Sequence, residues 1–338
     1  METSVVTTMA TMLPIPVVFL GEDPDLAKSL ALCFAEIIWG EEYRIAPFFL
    51  ATPTRDWRSV VPKEGRSLVF VEIAAGKGNP SGTVDDASLI RELRDFNRSL
   101  QIALLADDDA DYFAIAQEFH IGNVLKKKAF DTSILRALTI RLLTGNIFGF
   151  GPYFPNGFVV GPLFRTFVGR VVVEEMILEC FQVCKPYLNP EEVSNFNIFL
   201  HELLTNTFSY AIEGISPEDR DSKLLRAPPV VHITERRAIK IALVTDEEKI
   251  GFAVTDSTGS LSMLRVLQKL RRQSRIGGEK MPPGVWDESG RGISMVYRYS
   301  RFIVNILKDV RTEIIFLQYH RQELNRFESI IITEVHPF

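Results

Sequence analysis

Apolar residues in the first half of the chain follow two patterns that alternate. Short, nearly continuous apolar runs are separated by segments whose apolar residues recur at the three- and four-residue spacing of a helix face. The runs are 16–20, 67–73, 101–105 and 123–125, and the helical segments are 26–38, 88–97, 111–119 and 132–143. Strands that are apolar on both sides are typical of a parallel sheet covered by helices on both faces. We therefore predict a doubly wound α/β domain over residues 15–145.

The second half contains one long helical segment followed mainly by short apolar runs. Asn189 can cap a helix whose first residue is Pro190, and Gly214 can end it. The later runs predict strands at 230–234, 238–245, 249–255, 302–307 and 312–318, with a helix at 261–272, a polar loop at 273–289 and a helical run at 293–299. These elements predict a second α/β domain over residues 165–320.

Three segments lie outside these two domains. In residues 146–164, glycines and prolines stand between aromatic residues, which indicates a linker that packs on a neighbouring surface and is too interrupted for a membrane-spanning helix. Residues 1–14 are expected to be flexible and have no signal-peptide pattern, so we expect a cytoplasmic protein. Residues 321–338 are predicted to extend the second domain, with a strand at 329–335 that forms a sheet edge or a dimer contact.

Composition and charge exclude several classes of function. Of the 338 residues, 46% are hydrophobic and 24% are charged, which is typical of a globular protein. The net charge of -5 makes nucleic acid an unfavourable partner, because phosphate backbones attract basic surfaces. The three cysteines have neither the number nor the spacing of a disulfide framework or a zinc site.

A carboxylate and an amide lie one turn apart on the long predicted helix of the second half. Glu202 and Asn206 therefore face the same side of that helix. The oxygen of Asn206 can ligate a Mg²⁺ ion bound to nucleotide phosphates, while Glu202 can activate a water or hydroxyl beside the terminal phosphate. The alternative is an exposed polar stripe on an amphipathic helix.

Two further clusters follow the pair on the helix. Asp256 ends a predicted strand and can accept the exocyclic amine of adenine, and Gly259 lets the base approach the backbone. The same residues are also suitable for a simple turn. Gly290 and Gly292 precede a helical run, where exposed backbone N–H groups can bind phosphate oxygens.

In this order and spacing, the three clusters resemble the site of the histidine-kinase-like ATPase (GHKL) family over residues 165–320. The resemblance implies the α/β sandwich of that family, with ATP and Mg²⁺ as cofactors. It also implies that Thr312 supports the adenine-contacting Asp256. The chain departs from the family at Thr258 and Ser260, which occupy the usual glycine positions, and at Tyr210, where a basic or histidine residue is common.

Within that family, the chain resembles the anti-sigma serine kinases, which phosphorylate a serine of a small antagonist protein. A carboxylate placed one turn before Asn206 is the feature that carries this resemblance. No helical hairpin with a phospho-accepting histidine fits before the second domain, so an autophosphorylating histidine kinase is not expected. The resemblance implies an antagonist or a sigma-factor-like regulator as the protein partner.

The first domain resembles the receiver domain of two-component response regulators over residues 15–145. In that family an acidic pair, a phospho-accepting Asp, a hydroxyl residue and a Lys surround the phosphorylation site. At the matching positions this chain has Glu22 with Asp23, Glu72, Ala106 and Lys128. Glu72 is one methylene longer than the acceptor Asp, and Ala106 has no hydroxyl. We therefore expect a pseudo-receiver that is used for docking or dimerisation. The alternative is that Glu72 mimics a permanently phosphorylated Asp.

Together, these patterns predict a cytoplasmic signalling protein in which a pseudo-receiver domain precedes an ATP-binding domain. The expected activity is ATP-dependent phosphorylation of a partner protein, with Glu202 as the base. Two alternatives stay open: a non-catalytic module that binds a partner, and a response regulator controlled through its receiver. Both domain families often form dimers, so a homodimer is also possible.

Overall fold

The computed structural model describes residues 13–37, 39, 43, 45–73, 86–107, 112–127, 132–154, 156–157, 159–211, 230–273, 300–321 and 329–337. The helices in this part of the chain are α1 (Pro24–Glu36), α2 (Asp86–Phe96), α3 (Tyr112–Glu118), α4 (Thr132–Thr144), α5 (Val173–Cys184), α6 (Pro190–Ala211) and α7 (Met263–Gln273). The strands are β1 (Leu13–Leu20), β2 (Ile45–Thr52), β3 (Ser67–Ile73), β4 (Leu100–Ala106), β5 (Asn123–Lys126), β6 (Val159–Phe167), β7 (Gly169–Val172), β8 (Val230–Ile233), β9 (Ile239–Thr245), β10 (Lys249–Asp256), β11 (Arg301–Leu307), β12 (Arg311–Tyr319) and β13 (Ile330–Val335). None of the helices in this part of the chain is long and apolar enough to cross a membrane.

In the described part of the chain, one sheet of 11 strands runs through both halves, in the order β2-β1-β3-β4-β5-β13-β11-β12-β10-β9-β6. The first five strands of this order pair in parallel. The strands from β11 to β6 pair in antiparallel fashion. A separate two-stranded ladder joins β7 to β8. The protein is therefore a mixed α/β structure built on a single large sheet.

Helices cover both faces of the parallel part of the sheet, as the continuous apolar runs predict. Residues of α1 and α4 share one hydrophobic core with inward residues of β1 and β3, among them Phe19 and Phe70. Residues of α2 and α3 share the opposite core with Val18 and Val69 from the same two strands. Alternate residues of each strand thus enter different cores. This arrangement confirms the doubly wound α/β prediction for the first half.

The two hydrophobic cores continue from the first half of the chain into the second. Helices α5, α6 and α7 belong to the core that contains α2 and α3. The opposite face of the second half is covered by α4 and by the predicted linker, in which Phe150, Tyr153 and Phe154 are buried. The linker therefore packs on a neighbouring surface, as predicted, but from Val159 onward it forms the edge strand β6.

The prediction that the segment after residue 320 forms an edge strand is wrong. β13 lies inside the sheet, where it pairs in antiparallel fashion with β5 and in parallel with β11. Ile330, Ile331 and Ile332 are each no more than 2% exposed. Consecutive isoleucines point to opposite faces of a strand, so an apolar run of this kind is buried only where both faces are covered.

The sequence patterns did not predict β2, which forms one edge of the sheet. Pro47 lies within this strand and has no backbone N–H, so its presence counts against a strand interior. An edge strand tolerates proline because its outward side makes no ladder hydrogen bonds. Among the described strands, β1 is the single neighbour of β2 in the sheet, and the Pro47 position is compatible with such an edge.

A buried polar cluster joins α4 to the second half of the chain. The Arg141 guanidinium donates hydrogen bonds to Asn305 Oδ1 and to the backbone oxygen of Gly149, and it lies 4.4 Å from the ring centre of Tyr153. Glu313 Oε2 accepts hydrogen bonds from Asn305 Nδ2 at 3.1 Å and from the Gly149 N–H at 2.9 Å. Arg141 is completely buried. The two halves therefore share a polar network as well as a sheet.

Candidate functional site

Helix α6 carries Glu202 and Asn206, and its first turn is fixed by two reciprocal hydrogen bonds. The Glu192 N–H donates to Asn189 Oδ1 at 2.9 Å, and the Asn189 N–H donates to Glu192 Oε2 at 2.8 Å. This capping box satisfies backbone donors that the helix start would otherwise leave unpaired. The predicted start of the helix at Pro190 is confirmed.

Helix α6 runs along β10 in the same direction as the strand. At the start of the helix, Glu192 Oε1 lies 3.9 Å from the ring atom Nδ1 of His320. The backbone N–H of His320 donates to the backbone oxygen of Glu248, which lies just before β10. One turn later, the ring of Phe196 packs edge-on against Phe252 in the middle of β10, with ring centres 5.9 Å apart. Two successive contacts thus fix the direction of the helix over the sheet.

The helix geometry brings Glu202 and Asn206 toward the end of β10. Asn206 is ten residues beyond Phe196, or about 15 Å along a helix that rises ~1.5 Å per residue. Asp256 is four residues beyond Phe252, or about 13 Å along a strand that rises ~3.3 Å per residue. If α6 keeps the direction of β10, these rises place Asn206 level with Asp256 and Glu202 one turn earlier. Both helix residues are half-buried.

Asp256 and Thr312 face each other across two strands of the sheet. They are direct partners in the antiparallel ladder between β10 and β12. Burial raises the pKa of the Asp256 carboxyl, whereas donors from Thr258, Gly259 and Thr312 act in the opposite direction. The buried Thr312 hydroxyl is near enough to favour the charged carboxylate. It falls short of a regular hydrogen bond, however, and is left without a full partner among the described residues.

The loop after Asp256 is closed by the side chain of Thr258. Oδ1 of Asp256 accepts hydrogen bonds from both the backbone N–H and the hydroxyl of Thr258. Such an Asx turn is a common use of an aspartate at the end of a strand. The Ser257 hydroxyl ties the same loop to the backbone oxygen of Ala238 at 3.2 Å. The loop therefore holds its shape through its own side chains.

Gly259 is required by contact with the turn between β11 and β12. Its φ of 58° lies in the left-handed region. A Cβ atom there would lie 2.3 Å from the oxygen of Leu307 and 2.4 Å from the nitrogen of Val310. The Gly259 oxygen also accepts a hydrogen bond from the Asp309 N–H at 3.1 Å. Packing inside the protein is thus sufficient to explain this glycine.

The remaining candidates on the phosphate side of the site lie outside the described residues. Gly290 and Gly292 fall within 274–299, which the structure does not describe. The side chain of Tyr210 is likewise outside the described part of the chain. Of the predicted nucleotide residues, the structure therefore places Glu202, Asn206, Asp256, Gly259 and Thr312.

The candidate site of the first half centres on Glu72 near the end of β3. Its Oε2 accepts hydrogen bonds from the N–H groups of Glu22 at 2.8 Å and Asp23 at 3.2 Å, and its Oε1 contacts Lys127 Nζ at 2.8 Å. The same ammonium contacts Asp107 Oδ2 at 2.9 Å. Burial acts to lower the pKa of Lys127, but its hydrogen bonds with the Glu72 and Asp107 carboxylates raise it above the ordinary value.

Sequence reasoning selected Lys128 as the cation of this cluster and missed Lys127 and Asp107. Lys128 lies outside the described residues, whereas Lys127 is the first residue after β5. A run of three lysines at a strand end offers three candidates, and only the exact strand end distinguishes them. The position of Asp107 directly after β4 was the available signal for the second carboxylate.

The acidic pair of the first half is engaged in local hydrogen bonds. Glu22 Oε1 accepts from the N–H and the hydroxyl of Thr54 at 3.0 Å and 2.7 Å. Asp23 Oδ1 accepts from the N–H groups of Asp25 and Leu26, and so caps α1. Among the described residues there is no cluster of three side chains that could hold a metal ion. Both oxygens of Glu72 are engaged in a partly buried arrangement, which we call the closed ion pair at Glu72.

This geometry predicts that the first half does not accept a phosphoryl group from a small donor. Both oxygens of Glu72 are engaged, and Ala106 at the end of β4 offers no hydroxyl. After incubation with acetyl phosphate and Mg²⁺, intact-protein mass spectrometry should show an unchanged mass. A Glu72→Gln variant treated in parallel is the control. A stoichiometric adduct that the Gln variant lacks would show that Glu72 is phosphorylated.

No protein-family model matches this sequence, and no curated protein matches it significantly. The function must therefore be inferred from the two sites themselves. One is the closed ion pair at Glu72, and the other is the end of β10 beside α6. Only the second combines a half-buried acid and amide on a helix with a half-buried carboxylate and a buried, incompletely paired hydroxyl.

Proposed function

We propose that the protein is a signalling ATPase-type kinase that binds ATP with Mg²⁺ at the end of β10 and phosphorylates a serine of a partner protein. The pairing of the half-buried Asp256 with the buried Thr312 is the observation that carries this proposal. A buried hydroxyl without a full partner, as at Thr312 beside the half-buried Asp256, is costly to a fold unless a ligand or water completes its hydrogen bonds. An exocyclic amine of adenine is a donor of the kind that such a pair can accept.

The residues of α6 fit the other end of a bound nucleotide. Asn206 would hold Mg²⁺ through its amide oxygen, an oxygen ligand of the kind that this ion prefers. Glu202 would accept the proton of the attacking serine hydroxyl as a general base. Bound ATP supplies the phosphoryl group. In this proposal an antagonist protein or a sigma-factor-like regulator provides the serine.

At the level of fold, the proposal treats the two halves as a pseudo-receiver and a histidine-kinase-like ATPase domain. The parallel order β2-β1-β3-β4-β5 supports the first assignment, since it is the doubly wound order expected for a receiver-like half. The position of α6 along β10 supports the second assignment. The closed ion pair at Glu72 favours a fixed docking half over a phosphorylated switch.

A second candidate function is a non-catalytic module that sequesters a partner through the same surfaces. The observation that favours it is the Asx turn at Asp256, where Thr258 already supplies two donors to Oδ1. A carboxylate has about four acceptor positions, so this turn reduces but does not exhaust its capacity. ATP binding by the purified protein distinguishes the two candidates.

Calorimetric titration of the purified protein with ATP and Mg²⁺ is expected to show binding that Asp256→Asn weakens at least tenfold. A hydrogen bond to a charged group contributes about 1.5–3 kcal/mol, and the amide removes that charge. Glu248→Gln, at an exposed carboxylate by the opposite end of β10, is the matched control and should bind as the native protein does. Absence of binding at millimolar ATP would refute the kinase proposal.

Replacement of the proposed base should separate binding from turnover. Glu202→Ala is expected to leave ATP affinity unchanged but to lower phosphate transfer or ATP hydrolysis about 10²- to 10⁴-fold, the usual contribution of a general base. Turnover can be measured with radiolabelled ATP. Equal losses of affinity in Glu202→Ala and Asp256→Asn would contradict the separate roles assigned to them.

A further inference from the structure

β13 contacts both the first half of the chain and the segment that follows the Asp256 loop. At its start, Ile330 and Ile331 pair with β5. At its other end, Glu334 Oε2 accepts a hydrogen bond of 2.6 Å from the N–H of Met263. Met263 is the first residue of α7, the helix that follows the Asp256 loop. One strand thus connects β5 to the helix next to the proposed nucleotide site.

The first half also reaches this segment directly, through Gly122. Its backbone oxygen accepts a hydrogen bond of 2.8 Å from the Ile332 N–H. A Cβ atom at Gly122 would lie 2.0 Å from the oxygen of Ile332 and 2.5 Å from Sδ of Met263. Gly122 is therefore packed closely against both β13 and the start of α7, and a larger residue at this position must displace one of them.

The end of β13 also holds the turn on which the Asp256 loop rests. The oxygen of Val335 accepts a hydrogen bond of 2.9 Å from the Lys308 N–H. Lys308 Nζ donates to the Leu261 oxygen at 3.5 Å, and the neighbouring Asp309 N–H donates to Gly259. The loop between Asp256 and α7 is thus bonded at Gly259 and at Leu261 to the turn that β13 holds through Lys308.

The same connection leads back to the ion pair of the first half. β5 begins directly after Gly122 and ends directly before Lys127, which contacts Glu72 and Asp107. A short, fully buried strand therefore separates the ion pair from the contact between Gly122 and Met263. Such an element can transmit a small displacement because its packing leaves little freedom to absorb it.

We propose that Glu334 is a positioning residue for the nucleotide loop and that, together with Gly122, it makes nucleotide affinity depend on the first half of the chain. The part of this inference that concerns ATP rests on the proposed function. Glu334 fixes the start of α7 and therefore the loop that presents Asp256. A partner that docks on the first half would change ATP affinity through this contact. Couplings between sites typically change affinity about 5- to 150-fold.

The test compares Glu334→Ala and Glu334→Gln with the matched surface pair Glu118→Ala and Glu118→Gln. Glu118 forms an exposed ion pair with Arg91 in the first half. Amide hydrogen exchange of residues 257–266 is measured without nucleotide, and ATP affinity is measured by calorimetry. Unfolding by urea shows whether a change is local or global. Gly122→Ala tests the contact with the first half, and the Glu334 pair still decides whether Glu334 positions the loop if that variant does not fold.

Glu334→Ala should accelerate exchange in 257–266 and weaken ATP binding at least fivefold, while the midpoint of unfolding changes little. Glu334→Gln should recover most of both properties, since its amide oxygen can still accept from the Met263 N–H. If the Glu334 variants showed the same exchange rates and ATP affinity as the Glu118 variants, the inference would be overturned. It would also be overturned if the loop lost protection only when the whole protein unfolds. If the native protein binds no ATP, the proposed function fails, whereas the exchange data still decide whether Glu334 positions the loop.

Discussion

Deletion of residues 329–338 should abolish cooperative folding of the whole chain, including the first half. The deletion removes β13 from between β5 and β11 and exposes an edge on each part of the sheet. Burial of one isoleucine side chain contributes about 1.5–3 kcal/mol, so the loss of Ile330, Ile331 and Ile332 alone costs about 5–9 kcal/mol. The net stability of a typical domain is only about 5–15 kcal/mol.

Circular dichroism and urea titration would measure this loss. The native chain should unfold in one transition, whereas the shortened chain should give a low or broad transition and aggregate readily through its open edges. Deletion of residues 336–338 alone is the control, because His336 and Pro337 are exposed and lie beyond β13. Two independent and fully cooperative transitions in the shortened chain would show that the halves fold separately.

Arg141→Met should lower the free energy of unfolding by about 3–6 kcal/mol, because it removes two hydrogen bonds from a buried charged donor and each contributes about 1.5–3 kcal/mol. Methionine keeps much of the volume but removes the donors to Asn305 and Gly149, while Glu313 keeps Arg311 as a cationic partner 3.4 Å from its Oε1. Urea unfolding measures the change. Arg91→Met is the control, since its ion pair with Glu118 is exposed and such pairs contribute about 0–1 kcal/mol.

A double-variant cycle tests the same cluster more closely. Combining Arg141→Met with Glu313→Gln should recover part of the lost stability, because the amide removes the buried negative charge. Strictly additive losses would mean that Arg141 and Glu313 do not interact energetically. Arg141 and Asn305 are 164 positions apart in the sequence. The stability of this cluster therefore measures how strongly the two halves of the chain interact.

Elements specified by local sequence could be predicted, whereas their place in the sheet could not. The start of α6 at Pro190 follows from a capping pair three residues apart, and β3 follows from a continuous apolar run. The insertion of β13 beside β5 depends on contacts across about 200 positions, for which no local pattern exists. Apolar residues at consecutive positions of β13 were the available signal of an interior strand.

The candidate site shows the same division between local and non-local information. Asp256 could be identified because it ends an apolar strand and precedes a glycine. The reason for Gly259 could not, since the turn at Leu307 that excludes a Cβ atom comes from a later hairpin. Lys127 was missed through a difference of one residue at a strand end. The chemical role of a residue could thus be predicted from its type and position in the sequence. Its contacts could be identified only from the three-dimensional structure.

The central position of β13 also has a consequence for folding during synthesis. When the ribosome has completed β5, roughly two hundred further residues must be made before the strand that covers its open side exists. Synthesis at ~5–20 residues per second makes this interval tens of seconds at the slower rate. Throughout that time the nascent first half presents an unpaired strand edge, so chaperone binding to it is expected before the sheet is complete.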